Sequence, residues 1–173
     1  MTKKTKKLAL SKGATTEIDF ALYVHLENVR TKFKKLFSLT KMQNRVPPIQ
    51  GKFLRYDFYL QRGRFFQTQP MPKGYRRGKA QHCYHNSFKL NKTREGLTYC
   101  EGIVVLHFTE GKCIDIEHGW CVTTDRKVID VTLEKAGLSY FGVPYSPQEM
   151  AGIDSVPFID QIIESQMENA VQD

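Results

Sequence analysis

Residues 117–132 read EHGWCVTTDRKVIDVT. Both halves of this stretch alternate as strands do, and Thr123, Thr124 and Asp125 between them are turn formers. In the first half His118, Trp120 and Val122 share one face; in the second Arg126, Val128, Asp130 and Thr132 do. A three-residue turn at 123–125 pairs 122 with 126, 120 with 128 and 118 with 130. His118 then stands directly across from Asp130, with Cβ atoms roughly 4.5–5.5 Å apart. An imidazole and a carboxylate hydrogen-bond at that spacing. A two-residue turn would send them to opposite faces. The hairpin thus predicts an antiparallel sheet and a paired base and acid on it.

Upstream, residues 99–108 form a strongly apolar strand and 113–122 the next one. Residues 82–92 read as a helix entered from a loop that contains Gly74 and Gly78. Cys83 falls in the first turn of that helix. Unpaired backbone N–H groups and the positive dipole end favour a thiolate there. The same N–H groups can stabilise a developing oxyanion. Cys83, His118 and Asp130 are therefore the candidate catalytic residues. On spacing alone, a surface His–Asp pair beside an unrelated thiol is the competing reading.

Four short stretches sharpen the choice: CYHNS at 83–87, YCEG at 99–102, HGW at 118–120 and DVT at 130–132. Together they resemble the transglutaminase-like core of the papain-like cysteine superfamily, over roughly residues 75–145. That family has a Cys at a helix start, His-Ala-Trp on one strand and Asp-Pro-Thr on the next. The resemblance implies that Cys83 is the nucleophile, His118 the general base and acid, and Asp130 the orienting carboxylate. It also makes Gln81 a candidate oxyanion donor beside the Cys83 N–H. Gly119 replaces the usual Ala, a change expected to be harmless. Val131 replaces the usual Pro, and His82 stands where a small residue is expected. The activity implied is a cysteine hydrolase or acyltransferase on an amide or ester: protease, amidase, deamidase or transglutaminase. Such thioester chemistry needs no cofactor.

Two further residues are candidates for the site. Glu101 lies in a strand-like run, and a buried carboxylate there would need a partner. Trp120 shares a face with His118 and would either wall a cleft or fill the core. His82, Cys83 and His85 match no standard zinc spacing, so no metal is expected. His107 reads as structural and His25 as a packed helix residue. Cys100, Cys113 and Cys121 read as inert core thiols.

The remainder frames this core. Residues 1–14 carry five lysines and read as a mobile basic tail, and residues 15–173 as a single domain. Ile18, Leu22, Leu26, Val29, Phe33 and Phe37 recur at helical steps after a possible cap at Thr15 or Thr16. Pro47-Pro48 ends that helix. Residues 53–60 (FLRYDFYL) read as a strand, and Arg62-Gly63 as a hairpin turn into Phe65-Phe66. Residues 69–79 form a loop that interleaves Tyr and Arg. Ser146-Pro-Gln-Glu149 is a capping box. A last helix carries Phe158, Ile159, Ile162, Ile163 and Met167. The expected class is α+β, an antiparallel sheet with the nucleophile helix packed on it and extra helices at both ends.

The chain has 173 residues, near the size of one domain, and its 40% hydrophobic and 25% charged content excludes collagen-like and wholly disordered chains. No apolar run approaches the roughly 18 residues of a membrane span. The basic N-terminus has too short an apolar stretch at Leu8-Ala9-Leu10 for a signal peptide, so a cytoplasmic protein with free thiols is expected. Residues 1–80 hold 19 Lys and Arg against 4 Asp and Glu, a net of +15, and residues 81–173 hold 7 against 14, a net of −7. The basic half suits an acidic partner. The expected partners are a protein or peptide-like substrate and, through residues 1–80, nucleic acid or an acidic protein. A non-catalytic binding protein on the same fold is the alternative function.

Overall fold

A computed structural model describes residues 1–41, 47–109, 111–151 and 156–172. The side chains of Phe37 and Met167, counted above as apolar positions, lie outside the described residues. The described residues form five antiparallel strands: β1 (Arg64–Phe66), β2 (Leu97–Thr109), β3 (Lys112–Thr123), β4 (Val128–Ile129) and β5 (Ser139–Pro144). They form one sheet in the order β1-β5-β2-β3-β4. Among the described residues six helices accompany them: α1 (Lys3–Ser11), α2 (Glu17–Lys41), α3 (Pro47–Arg62), α4 (Cys83–Thr93), α5 (Pro147–Met150) and α6 (Phe158–Gln172). The architecture is α+β. Among the described residues no helix is long and apolar enough to cross a membrane.

Alternation along β2 and β5 sorts the core. Tyr99, Ile103, Val105, Phe141 and Val143 pack with Leu22, Leu26, Tyr59, Phe158 and Ile159 under the helices. Cys100, Val104, Trp120, Val122, Val128 and Tyr140 pack with Phe66 on the other face. That second face is the inside of a curl, because the sheet's two edges meet. Gln67, next after β1, donates from its N to Arg126 O at 3.1 Å and accepts from Val128 N at 2.9 Å. The curl fills its own interior with aromatic rings, and the helices cover its outside.

The β3–β4 hairpin pairs Cys121 with Ile129 and Val122 with Val128. The expected register was two residues away. The turn still has three residues, but they are Thr124, Asp125 and Arg126, one step later. Arg126 takes φ 67, and its N–H closes the turn on Thr123 O at 2.9 Å. A type I turn followed by one left-handed residue is a common three-residue hairpin connection. A slip of two preserves the face. Continued, this register sets Asp130 level with Trp120 and diagonal to His118.

Residues 53–60 are helical, not a strand. Their apolar positions satisfy both periods, and packing decides: Tyr59 is fully buried on the sheet, Tyr56 stacks on Phe33 at 6.0 Å, and Asp57 meets Arg30 at 3.2 Å. Pro47 is the first helical residue of α3, the position where proline starts helices. Gly63 makes no hairpin. A Cβ there would meet Tyr59 O at 2.4 Å, so the residue is small because α3 ends hard against β5's Phe141.

The N-terminal residues are not a loose tail. Thr2 caps α1, and Gly13 at φ 89 ends it, with Ala14 N bonded to Ala9 O and Gly13 N to Leu10 O. This is a Schellman ending. Ala9 and Ala14 are buried, and Phe65 N donates to Lys12 O at 2.7 Å, tying α1 to β1. Small side chains anchor the segment, which a search for large apolar ones passes over. Thr16 caps α2 by accepting from Asp19 N at 3.1 Å, and Ser146 and Glu149 form the expected capping box on α5. His25, His107 and Cys113 are exposed rather than packed.

Candidate active site

Cys83 is the first residue of α4, after His82, whose side chain makes no capping bond. The loop before it is fastened to the helix it feeds. Asn86 donates to Lys79 O at 2.7 Å and to Thr132 Oγ1 at 3.0 Å, and Gly78 N donates to Val131 O at 2.8 Å. Gly78 lies so close under Asn86 that a Cβ would meet its amide at 2.3 Å. The α4 helix in turn docks on β3: Ser87 Oγ donates to Gly119 O at 2.9 Å, and Cys121 Sγ lies 3.1 Å from Ser87 O. The strand that carries His118 and the helix that carries Cys83 are therefore joined at Gly119 and at Cys121.

His118 and Asp130 are both buried, with His118 Nε2 2.8 Å from Asp130 Oδ2. The same oxygen accepts from Tyr140 OH at 2.9 Å, and Tyr140 OH accepts from Gly137 N at 2.9 Å. Asp130 Oδ1 accepts from Thr132 N at 2.8 Å and Leu133 N at 3.1 Å. Every lone-pair direction of this carboxylate is used, which fixes its plane and presents Oδ2 to the imidazole. With Nε2 held by Asp130, Nδ1 is the ring nitrogen left for Cys83.

The electrostatics agree with that geometry. Burial pushes the Cys83 thiol up. The hydrogen bond and charge of His118, with backbone donors at Gly119 and Tyr84, outweigh it and bring the thiol below its ordinary value. Burial pushes His118 down, but bonds to Asp130 and Cys83 carry it to about 9. Burial raises Asp130, and His118 with the Thr132 and Leu133 amides more than reverses this. The lowered thiol and the raised imidazole both shift the balance toward a thiolate–imidazolium pair backed by a carboxylate. Such a thiolate, flanked by amide donors, can attack a carbonyl carbon.

The other expected site residues divide. Trp120 is fully buried and lies nearly parallel to the His118 ring, 6.4 Å between centroids, with Tyr140 edge-on at 5.2 Å. It backs the imidazole from inside the curl and walls no open cleft. Glu101 lies on the opposite face from His118. Its carboxylate accepts from Phe158 N at 2.6 Å, Ile159 N at 2.9 Å and Tyr99 OH at 2.8 Å, so it caps α6. Its partner is a helix end, not the His118–Asp130 pair. Gln81 is exposed, with φ 64, two residues before Cys83. Among the described residues no group of three or more His, Cys, Asp or Glu could hold a metal ion.

Tyr140, Asn86 and the Gly119 and Tyr84 amides were not legible as site residues. No local pattern marks Tyr140, because its role arises from β5 lying across the sheet from β4. Gly119, by its sequence a harmless departure, is a close-packing position in the structure. A Cβ on it would meet Tyr84 Cδ1 at 2.8 Å and Tyr84 Cα at 3.0 Å, in the first turn of α4. Gly119→Ala is therefore expected to push the helix start off β3, costing about 1–3 kcal/mol and slowing Cys83 alkylation. Thermal melts and iodoacetamide kinetics check this. A variant with unchanged melt and kinetics would mean that α4 docks independently of Gly119. Compared with known proteins, the chain matches no family model, no curated protein and no solved structure.

Proposed function

We propose that the chain is a cysteine-nucleophile hydrolase or acyltransferase acting on an amide or ester bond through Cys83, His118 and Asp130. The observation that carries this reading is the buried 2.8 Å His118–Asp130 bond, with the imidazole's remaining nitrogen turned to a thiol at a helix start. The resemblance of the CYHNS, HGW and DVT stretches to the transglutaminase-like core adds to it. The Cys83 thiolate attacks the carbonyl carbon, and backbone N–H groups at the head of α4 receive the developing oxyanion. Protonated His118 gives its proton to the departing amine or alcohol, leaving a thioester on Cys83. Water then attacks the thioester and gives a proton to His118, and the C–S bond breaks, releasing the acid and restoring the Cys83 thiolate; in a transferase an amine takes the place of water and an amide is released. Asp130 keeps the ring oriented and stabilises its protonated form throughout. The nucleophile must be a free thiol, as in a reducing compartment such as the cytoplasm; all four cysteines are unbridged.

Mapping iodoacetamide adducts in wild type and Cys83→Ala tests the reading. Cys83 should label much faster than the other three thiols near neutral pH. Burial shields Cys100 and Cys121, and pushes the Cys121 thiol up to about 12. Cys113 is the informative control because it is exposed without such a setting. If Cys83 labels no faster than Cys113, the nucleophile assignment falls and the idle-triad binding protein becomes the better reading.

A further inference from the structure

Residues 58–94 contain nine Lys and Arg and no Asp or Glu. The fold gathers five of the nine, Arg76, Arg77, Lys79, Lys89 and Arg94, around a cleft of about 610 Å³ between the 74–79 loop and the outer side of α4. No carboxylate lines that cleft. Among the described residues none of the five makes an ion pair. Arg77 is anchored by bonds to the carbonyls of Leu133 and Glu134, and Arg94 lies over the Tyr75 ring at 5.7 Å. Like charges held this close repel one another, and a cleft of one sign focuses the field on an anion.

The cleft runs along α4, the helix whose first residue is Cys83. Asn86, which lines it, lies three residues past Cys83 on α4, about 4.5 Å along the helix axis. Leu90 and Thr93 continue it along the same helix. We propose that this cleft holds an acidic polypeptide segment of the substrate while the scissile carbonyl sits at Cys83. The proposal rests on the reading of Cys83 as a nucleophile. At about 3.3 Å per extended residue, the carboxylates would fall some two to four residues from the scissile bond. The chemistry of the cleft favours polypeptide over nucleic acid. Single-stranded nucleic acid needs exposed aromatic faces on which bases stack. Tyr75 is the one aromatic residue of the lining, and Arg94 occupies its face.

The test uses the full chain carrying Cys83→Ala, so that binding is read without turnover. A short Glu-rich peptide, its Gln isostere and a single-stranded RNA of equal charge are titrated across salt concentrations. The Glu-rich peptide should bind best, weaken as salt rises, and lose at least about tenfold in affinity when Arg76→Glu and Lys89→Glu are added together. Both residues are exposed, so the fold should persist, as circular dichroism would verify. In the protein with Cys83 intact the same peptide should slow its alkylation. Equal binding of the Gln isostere, tighter binding of RNA, or an unchanged affinity after charge reversal would each overturn the proposal. So would a peptide that binds the cleft yet leaves Cys83 unprotected. Loss of the nucleophile assignment alone would show in the alkylation kinetics of the free protein, independently of these affinities.

Discussion

Asp130→Asn should give a folded protein whose Cys83 alkylates roughly ten- to a hundredfold more slowly near neutral pH, since each unit of thiol pKa costs a factor of ten in thiolate. The substitution has no comfortable orientation. Two backbone amides, Thr132 and Leu133, donate to Oδ1, so the Asn carbonyl must stay there. Its NH₂ then faces His118 Nε2 and the hydroxyl of Tyr140. An NH₂ donating to Nε2 fixes the ring proton on Nδ1 in the neutral imidazole, the wrong tautomer for accepting from Cys83. Burial, the largest influence on His118, is no longer opposed by a carboxylate, so the imidazole drops from about 9. The thiol loses its cation and rises. The pH dependence carries the sign. In wild type, reactivity is established below the ordinary thiol range, and the ion pair is lost as pH rises through about 9. In Asp130→Asn the rise should move to higher pH. His118→Ala should be at least as slow, and the double mutant little slower than His118→Ala, because members of a triad act as a unit. An unchanged pH–rate profile in a folded Asp130→Asn would remove Asp130 from the mechanism.

Glu101→Ala should cost about 3–5 kcal/mol, which for a chain of this size lowers the melting temperature by roughly 6–20 °C. The loss comes from the Phe158 and Ile159 amides and the Tyr99 hydroxyl, all left unpaired in the core. Glu101→Gln should fall between wild type and Ala. Its oxygen serves one side, but its NH₂ must face an N–H donor on the other. The Gln variant separates architecture from chemistry, because Glu101 lies on the face opposite His118. Its Cys83 alkylation rate should match that of wild type at a temperature where both are folded. A collapse of that rate would return Glu101 to the active site.

The hairpin of residues 117–132 was legible because parity is a robust signal. The turn began one residue later than expected and the register slipped by two, yet His118 and Asp130 kept a common face and their side chains met diagonally. The helix position of Cys83 was legible from the loop glycines before it. Residues 53–60 were not, since FLRYDFYL offers an apolar face at either period and only the docking of Tyr59 on the sheet selects a helix. Glu101 alternates correctly along β2, but its partners lie 57 and 58 residues further on, at the start of α6. The α1 segment hides its anchors in two alanines. Tyr140 carries no local mark at all. What local pattern misses here is contact made across large sequence separations.

The curl of the sheet also bears on self-association. A sheet edge with unpaired N–H and C=O groups is a template for another chain's strand. Here the two end strands are short, three residues in β1 and two in β4, and Gln67 joins the regions around them. One stretch without a strand partner is the outer side of β3 before Cys121, where β4 pairing stops. That stretch carries Lys112, Asp115 and Glu117, and Glu117 is drawn to Arg55 at 2.7 Å. A copy of the chain docking edge to edge in antiparallel fashion would have to desolvate these charges. The molecule thus meets the risk of strand-paired growth in two ways, by joining its end strands through Gln67 and by charge along β3.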